Sequence, residues 1–217
     1  VKNSYGFIYG FHKAKGHTQY PSADSFARML IDLNKCVAPK LYVMDGIVAM
    51  EGNGPGSGDP VPMNVLLMST DPVALDSVFS RLVYLKPEMV PTNYHGEKMG
   101  LGTWKEEEIT LLTPDGEISM AEAVKKYGNP AFNVDRTEVR KNIWTRMAGA
   151  LNIFQKKPYI EADKCVRCGI CVQSCPVPGK AVDFRKGKGK PPVYDYRKCI
   201  RCFCCQEMCP KKAIKVK

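Results

Sequence analysis

Residues 165–176 read Cys165-Val-Arg-Cys168-Gly-Ile-Cys171-Val-Gln-Ser-Cys175-Pro176, and residues 199–210 read Cys199-Ile-Arg-Cys202-Phe-Cys-Cys205-Gln-Glu-Met-Cys209-Pro210. All four cysteines and the proline recur at an offset of 34, an internal repeat in which each copy is a cysteine-rich loop running into a short helix. The same offset carries Cys204 onto Ile170, so the repeat predicts that Cys204 packs beside the site as a small apolar side chain rather than as a ligand.

Three thiolates spaced by two residues wrap one loop around a cube, because successive sulfurs must meet different irons of the same cluster. The fourth cysteine, followed by proline, cannot reach that cube and points to the cluster of the other copy. The spacing therefore predicts two 4Fe-4S clusters, one held by Cys165, Cys168, Cys171 and Cys209 and the other by Cys199, Cys202, Cys205 and Cys175. Zinc sites present two CxxC pairs separated by roughly 12 to 20 residues, not three cysteines in one loop plus Cys-Pro. A secreted disulfide scaffold needs a signal sequence, and the polar stretch Val1 to Gly10 has no basic-then-apolar pattern. These last sixty residues resemble the two-cluster bacterial ferredoxins. The resemblance implies a small α+β domain with a pseudo-two-fold repeat, with short strands at Tyr159 to Glu161 and Ala213 to Val216 closing its sheet.

Outside the repeat the chain is ordinary: 217 residues, 44% apolar and 25% charged, which excludes a fibre or a disordered tail. No run approaches about 18 uncharged apolar residues, so no membrane insertion and a cytoplasmic, anaerobic setting are expected. The formal charge of +10 is concentrated. Residues 158–217 hold 14 Lys/Arg against 5 Asp/Glu, a formal +9, while residues 1–157 hold 18 against 17. Nine of the ten cysteines also lie from Cys165 onward, which predicts two domains, 1–157 and 158–217. Cys36, the exception, has no activating motif nearby and is expected to be a buried thiol. Eight cluster-bound thiolates and two oxidised cores would reduce the +9 to about +5. The basic run Arg185-Lys-Gly-Lys-Gly-Lys190-Pro-Pro192 is read as a solvated loop, with an acidic partner or phosphate as the functional alternative.

Residues 1–157 alternate helix and strand patterns. Ser22 caps a helix with Phe26, Met29, Leu30 and Leu33 on one face, and Pro39 ends it. A strand at Leu41 to Met44 stops at Asp45-Gly46, and a second, Val65 to Met68, leads to Asp71, an N-cap, and Pro72, the first residue of a helix carrying Val73, Val78, Phe79 and Leu82 inward. Strands feeding helices predict an α/β or α+β domain with a partly parallel sheet. Ligands in such folds gather at strand C-termini, which directs attention to Asp45, Glu51, Asn53 and Asp71. The stretch Gly52 to Pro60 has alternate glycines, but Pro60 and Pro62 stand where a phosphate-binding helix should begin, so a glycine-rich turn is expected. His12 and His17 bring two imidazoles into one short loop, and with Asp45, Glu51 and Asp76 they form a candidate metal or anion site.

Lys2-Asn3, Gly6, His12, Lys13 and His17, then Asp45-Gly-Ile47, Glu51-Gly-Asn-Gly-Pro55 and Ser69-Thr-Asp-Pro-Val-Ala-Leu-Asp76, together resemble the domain-of-unknown-function-362 family. The resemblance covers residues 1 to about 112 and implies an uncharacterised iron-sulfur protein, often fused to a ferredoxin module. It also implies that an upstream α/β segment precedes this chain. No reaction comes with it.

The expected function is transfer of single electrons between a redox protein partner, acidic in character, and a site on the α/β domain. If a reaction occurs there, His12, His17, Asp45, Glu51 and Asp71 are the candidate catalytic residues. Two alternatives stand beside it. In one the clusters are structural and the basic surface binds an acidic protein or, less readily, nucleic acid. In the other the ferredoxin is the reductive activator of a metal or cofactor enzyme.

Overall fold

In a computed structural model the structure describes residues 1–9, 13, 16, 19, 20, 22–53, 57–137 and 157–216. The chain divides into two compact units. One contains Val1–Tyr9, Ser22–Gly52 and Gly58–Arg136; the other contains the cysteine-rich residues from 157 onward.

The first unit begins with a 3-10 turn, Lys2–Phe7, and helix α1, Ala23–Val37. Ser22 caps α1 in a reciprocal box with Ser25, and Ala38 closes it in the left-handed region at φ 47°, just before Pro39. The buried stripe of α1 is Ala27, Leu30, Ile31 and Asn34, while Phe26 and Met29 pack at its edge. Cys36 falls off that stripe and is exposed, contrary to the expectation of a buried thiol. Helix α2, Pro72–Leu82, starts at Asp71 and Pro72 as the sequence predicts, and buries Val73, Val78 and Leu82. Helix α3, Pro91–Lys98, crosses α1 and α2 at Gly96, where a Cβ would sit 2.5 Å from Val73 Cγ2. Helix α4, Met120–Tyr127, follows and is capped by Ser119 and Glu122.

Two long strands, β1 (Tyr42–Asn53) and β2 (Ser57–Ser69), pair with each other. The two short strands expected at 41–44 and 65–68 are thus parts of one hairpin. Residues 42–53 and 57–69 continue as strand through Asp45-Gly46 and through much of the glycine-rich stretch; Gly54 to Gly56 lie outside the described residues. Gly46 permits this continuity, since a Cβ there would meet Val65 Cγ2 at 2.8 Å. Along β1, outward residues are odd-numbered up to Ile47 and even-numbered from Val48, so two successive residues face out, as at a bulge. Strand β2 alternates from Val61 onward, with Met63 and Val65 buried beside Leu82, Val83 and Phe132, after Asp59 and Pro60 both face out. A small hairpin, β3 (Leu111–Thr113) with β4 (Gly116–Ile118), completes the unit.

In the second unit β5 (Pro158–Ile160) pairs antiparallel with β8 (Ile214–Val216), and β6 (Val182–Asp183) pairs antiparallel with β7 (Val193–Tyr194). Two single-turn helices, α5 (Ile170–Gln173) and α6 (Cys204–Glu207), follow the cysteine loops. The protein is a mixed α/β structure of small sheets. Each sheet among the described residues has two strands, and β3–β4, β5–β8 and β6–β7 are antiparallel, so the expected parallel pairing is not found among them. No helix among the described residues is long and apolar enough to cross a membrane.

Candidate iron-sulfur centres

The repeat is written into the backbone. Arg167 and Arg201, at matching positions, have φ of 59° and 56°, and Gly169 and Phe203 have φ of 79° and 58°. Each pair of left-handed residues brackets the middle cysteine, Cys168 or Cys202, and bends the loop round so that its three thiols face one space. For side-chain-bearing residues this conformation costs about 1–3 kcal/mol, and it persists where function or packing demands it. After the Cys-Pro step the second copy is two residues shorter, yet Lys180 and Lys212 both turn left-handed (φ 47° and 49°) before Ala181 and Ala213. Those alanines then take equivalent bonds: Glu161 N donates to Ala213 O at 2.8 Å and Asp195 N donates to Ala181 O at 2.7 Å.

Two cavities result. The first, with about 370 Å³ of unfilled space partly open to solvent, is lined by Cys165, Cys168, Cys171 and Cys209, with Ile160, Ile170 and Ile214 as apolar wall and Arg167 and Lys211 at the rim. The second, about 300 Å³, is lined by Cys175, Cys199, Cys202 and Cys205, with Val182, Tyr194, Ile200 and Phe203. Each cavity takes three thiols from one copy and one from the other, and no carboxylate lines either. Among the described residues no three His, Cys, Asp or Glu side chains converge as ligands of a single metal ion. Thiols spread around a cube stand farther apart than ligands on one ion. All ten cysteines are free.

The two sites differ in depth. Cys168 is exposed and Cys165 half-buried, whereas Cys199 and Cys202 are both half-buried and Cys171, Cys175 and Cys205 are buried. Burial pushes the Cys171 thiol up to about 11, and the neighbours that add to the shift are Cys165, Cys168 and Cys209. Burial likewise pushes Cys205 up to about 12 and raises Cys199, which senses Cys202 and Cys175. Cys202 is held down at about 7 by a hydrogen bond with the Cys204 thiol, and that bond, with burial behind it, drives Cys204 upward. Cys204 opens α6 as Ile170 opens α5, and it does not line the second cavity.

Two donors to sulfur escape a reading by motif. Tyr194 Oη donates to Cys205 Sγ at 3.1 Å, and Ala181 N donates to Cys175 Sγ at 3.3 Å. Burial is the main cause that raises the Tyr194 pKa. The basic turn between β6 and β7 lies against the first loop, where Arg167 donates to Gly189 O at 3.0 Å, and Arg185 pairs with Asp195 at 3.4 Å.

The candidates outside the cysteine repeat do not form one described site. His12 and His17 lie outside the described residues. Asp45 is exposed on β1 and accepts from Ile47 N at 3.0 Å. Glu51, six residues further along the same strand, is about 20 Å away at ordinary strand rise, and it accepts from Asn133 N at 2.7 Å. Asp71 is saturated by backbone donors: Oδ1 takes Val73 N (2.7 Å) and Ala74 N (2.9 Å), and Oδ2 takes Thr103 N (2.9 Å). His95 pairs with Asp24 at 3.0 Å.

Residues 1–81 match the domain of unknown function DUF362, and residues 157–210 match the 4Fe-4S dicluster domain. A thylakoid-associated protein of Synechocystis sp. is 41% identical over 102 residues, covering 46% of this chain and 32% of that protein, so the chain matches about a third of its relative's length. No solved structure matches. The chain thus joins a DUF362 segment to a C-terminal 4Fe-4S dicluster domain of the kind that serves iron-sulfur electron transfer.

Proposed function

We propose that the protein binds two 4Fe-4S clusters, one on Cys165, Cys168, Cys171 and Cys209 and one on Cys199, Cys202, Cys205 and Cys175, and relays single electrons between a redox partner and the N-terminal unit. The observation that carries this reading is the sorting of eight thiols into two apolar-walled cavities, each drawing its fourth thiol from the opposite repeat. The donor set fits the group: four sulfurs per space, no competing carboxylate, and thiols that would release their protons to solvent as iron binds. When bound, the clusters supply reversible one-electron storage. The chain's own part is to hold the sulfurs, exclude water behind Ile160, Ile214, Val182 and Phe203, and present one loop to solvent.

That loop is the one bearing exposed Cys168, and Arg167, Lys186, Lys188, Lys190 and Lys211 lie on it or near it in the fold. A formal +9 in residues 158–217 remains positive after the cluster charge is counted, which supports an acidic partner protein. Single Cys→Ala replacements in the anaerobically reconstituted chain test the reading. The native chain should hold about eight irons. Replacing Cys209 should remove the same paramagnetic signal as replacing Cys165, and replacing Cys175 the same signal as replacing Cys199. Loss of the opposite signal, or iron that binds without sulfide, would refute it.

A further inference from the structure

Besides Cys204 in place of Ile170, the two repeats differ at a second place that bears on their sulfurs. Tyr194 ends β7 and donates its hydroxyl to Cys205 Sγ at 3.1 Å. Thirty-four residues earlier the same position, the end of β5, is Ile160. Ile160 lines the first cavity together with Cys171, the repeat mate of Cys205. Isoleucine has no proton to donate, so one quartet receives a phenol that the other lacks.

We propose that Tyr194 is a positioning residue for redox tuning, which holds the site of Cys175, Cys199, Cys202 and Cys205 at a higher reduction potential than the site of Cys165, Cys168, Cys171 and Cys209. The inference rests on the cluster-binding reading above. Reduction adds one negative charge, part of which spreads onto the ligand sulfurs. A donor aimed at such a sulfur stabilises the reduced state more than the oxidised state, and in a half-buried place water screens the effect little. Phenol, with an ordinary pKa near 10, keeps its proton at neutral pH and so remains a donor.

The donor is held in place. Tyr194 pairs with Val182 in the β6–β7 register, and its ring stacks on Tyr196 at 5.6 Å between centroids and 14° between planes. Tyr196 is itself fixed, donating to Pro158 O at 2.9 Å. The phenol cannot swing from Cys205 without breaking that stack. Ala181 N, on Cys175 Sγ, adds a second donor to the same quartet. With clusters bound, an electron received at the exposed Cys168 loop would pass from the lower-potential site to the higher, with no bond made or broken.

The test compares the full chain with its Tyr194→Phe variant, both reconstituted anaerobically, by iron and sulfide content and by redox titration followed through electron paramagnetic resonance. Expected is unchanged iron with one midpoint moved to lower potential, the other unmoved, and a narrower gap between them. The iron–thiolate stretching bands in resonance Raman should shift in Tyr194→Phe. They should not shift in Tyr196→Phe, which loses a bond to a carbonyl but none to sulfur. The converse variant, I160Y, should raise the lower midpoint. Two midpoints that stay put, or move together, in a fully loaded Tyr194→Phe chain would overturn the proposal. A native chain that takes up no iron would instead overturn the cluster reading, and this one with it.

Discussion

Replacing Asp71 with Ala, or Gly102 with Ala, should break the same joint from two sides. The Asp71 carboxylate caps α2 through Val73 N and Ala74 N and anchors the 101–104 loop through Thr103 N. Loss of the cap costs about 1 kcal/mol, and an unpaired, half-buried Thr103 amide costs about 1 kcal/mol more. The sum, about 2 kcal/mol, corresponds to a fall in Tm of roughly 4–8 °C for a chain of this size. Gly102 is where this carboxylate passes: a Cβ there would lie 1.8 Å from Asp71 Oδ1. The carboxylate is tied by three backbone donors and cannot step aside without breaking them, so Gly102→Ala should cost about the same 2 kcal/mol. The double variant should then lose much less than the sum of the singles, because both remove one set of bonds. Thermal melts followed by Trp104 fluorescence in a Trp144→Phe background would report it. Full additivity, or a Gly102→Ala protein as stable as the parent, would refute the reasoning.

Two further outcomes follow from local chemistry. Glu122 accepts from Ser119 N at 2.8 Å and Oγ at 2.7 Å, and these bonds, side chain first, hold its carboxyl below the usual carboxylate range. A depressed folded-state pKa gives stability that is present above the unfolded value and lost as pH falls through the folded one. Helix α4 should therefore fray on acidification below about pH 4, and Ser119→Ala should flatten that dependence in hydrogen exchange of the α4 amides. Cys204→Ala should retain both clusters with unchanged iron content, because Cys204 stands at the helix start beside the second cavity and not on its wall; loss of half the iron would make it a ligand.

The cysteine grouping was legible in the sequence because a repeat with a fixed offset constrains which thiols can share a space. Caps were legible for a similar reason: Ser22 and Asp71-Pro72 act through neighbours two or three residues away, whereas the Ser119 cap emerged only from the structure. The β1–β2 hairpin was not. Its apolar runs at 41–44 and 65–68 look like short buried strands, but Val43, Leu66 and Met68 point outward, and glycine and proline signals between them conceal continuous pairing. Cys36 was misplaced for want of one helical step, since the stripe that sinks Asn34 turns residue 36 to solvent. Tyr194 was visible only as an aromatic near a motif. Its meaning comes from a single distance to sulfur and from the isoleucine that stands in its place one repeat earlier.

The hairpin will govern how the purified protein behaves in a tube. Val43, Ile47, Val48, Met50, Leu66 and Met68 are each more than half exposed on two strands that, among the described residues, pair only with each other. Such a surface presents apolar side chains, and strands with an apolar face recruit one another between molecules. Sulfate and other excluded salts strengthen apolar association. The chain should therefore leave solution early in a salting-out series, and lysines at positions 66 and 68 should delay precipitation without touching a cysteine.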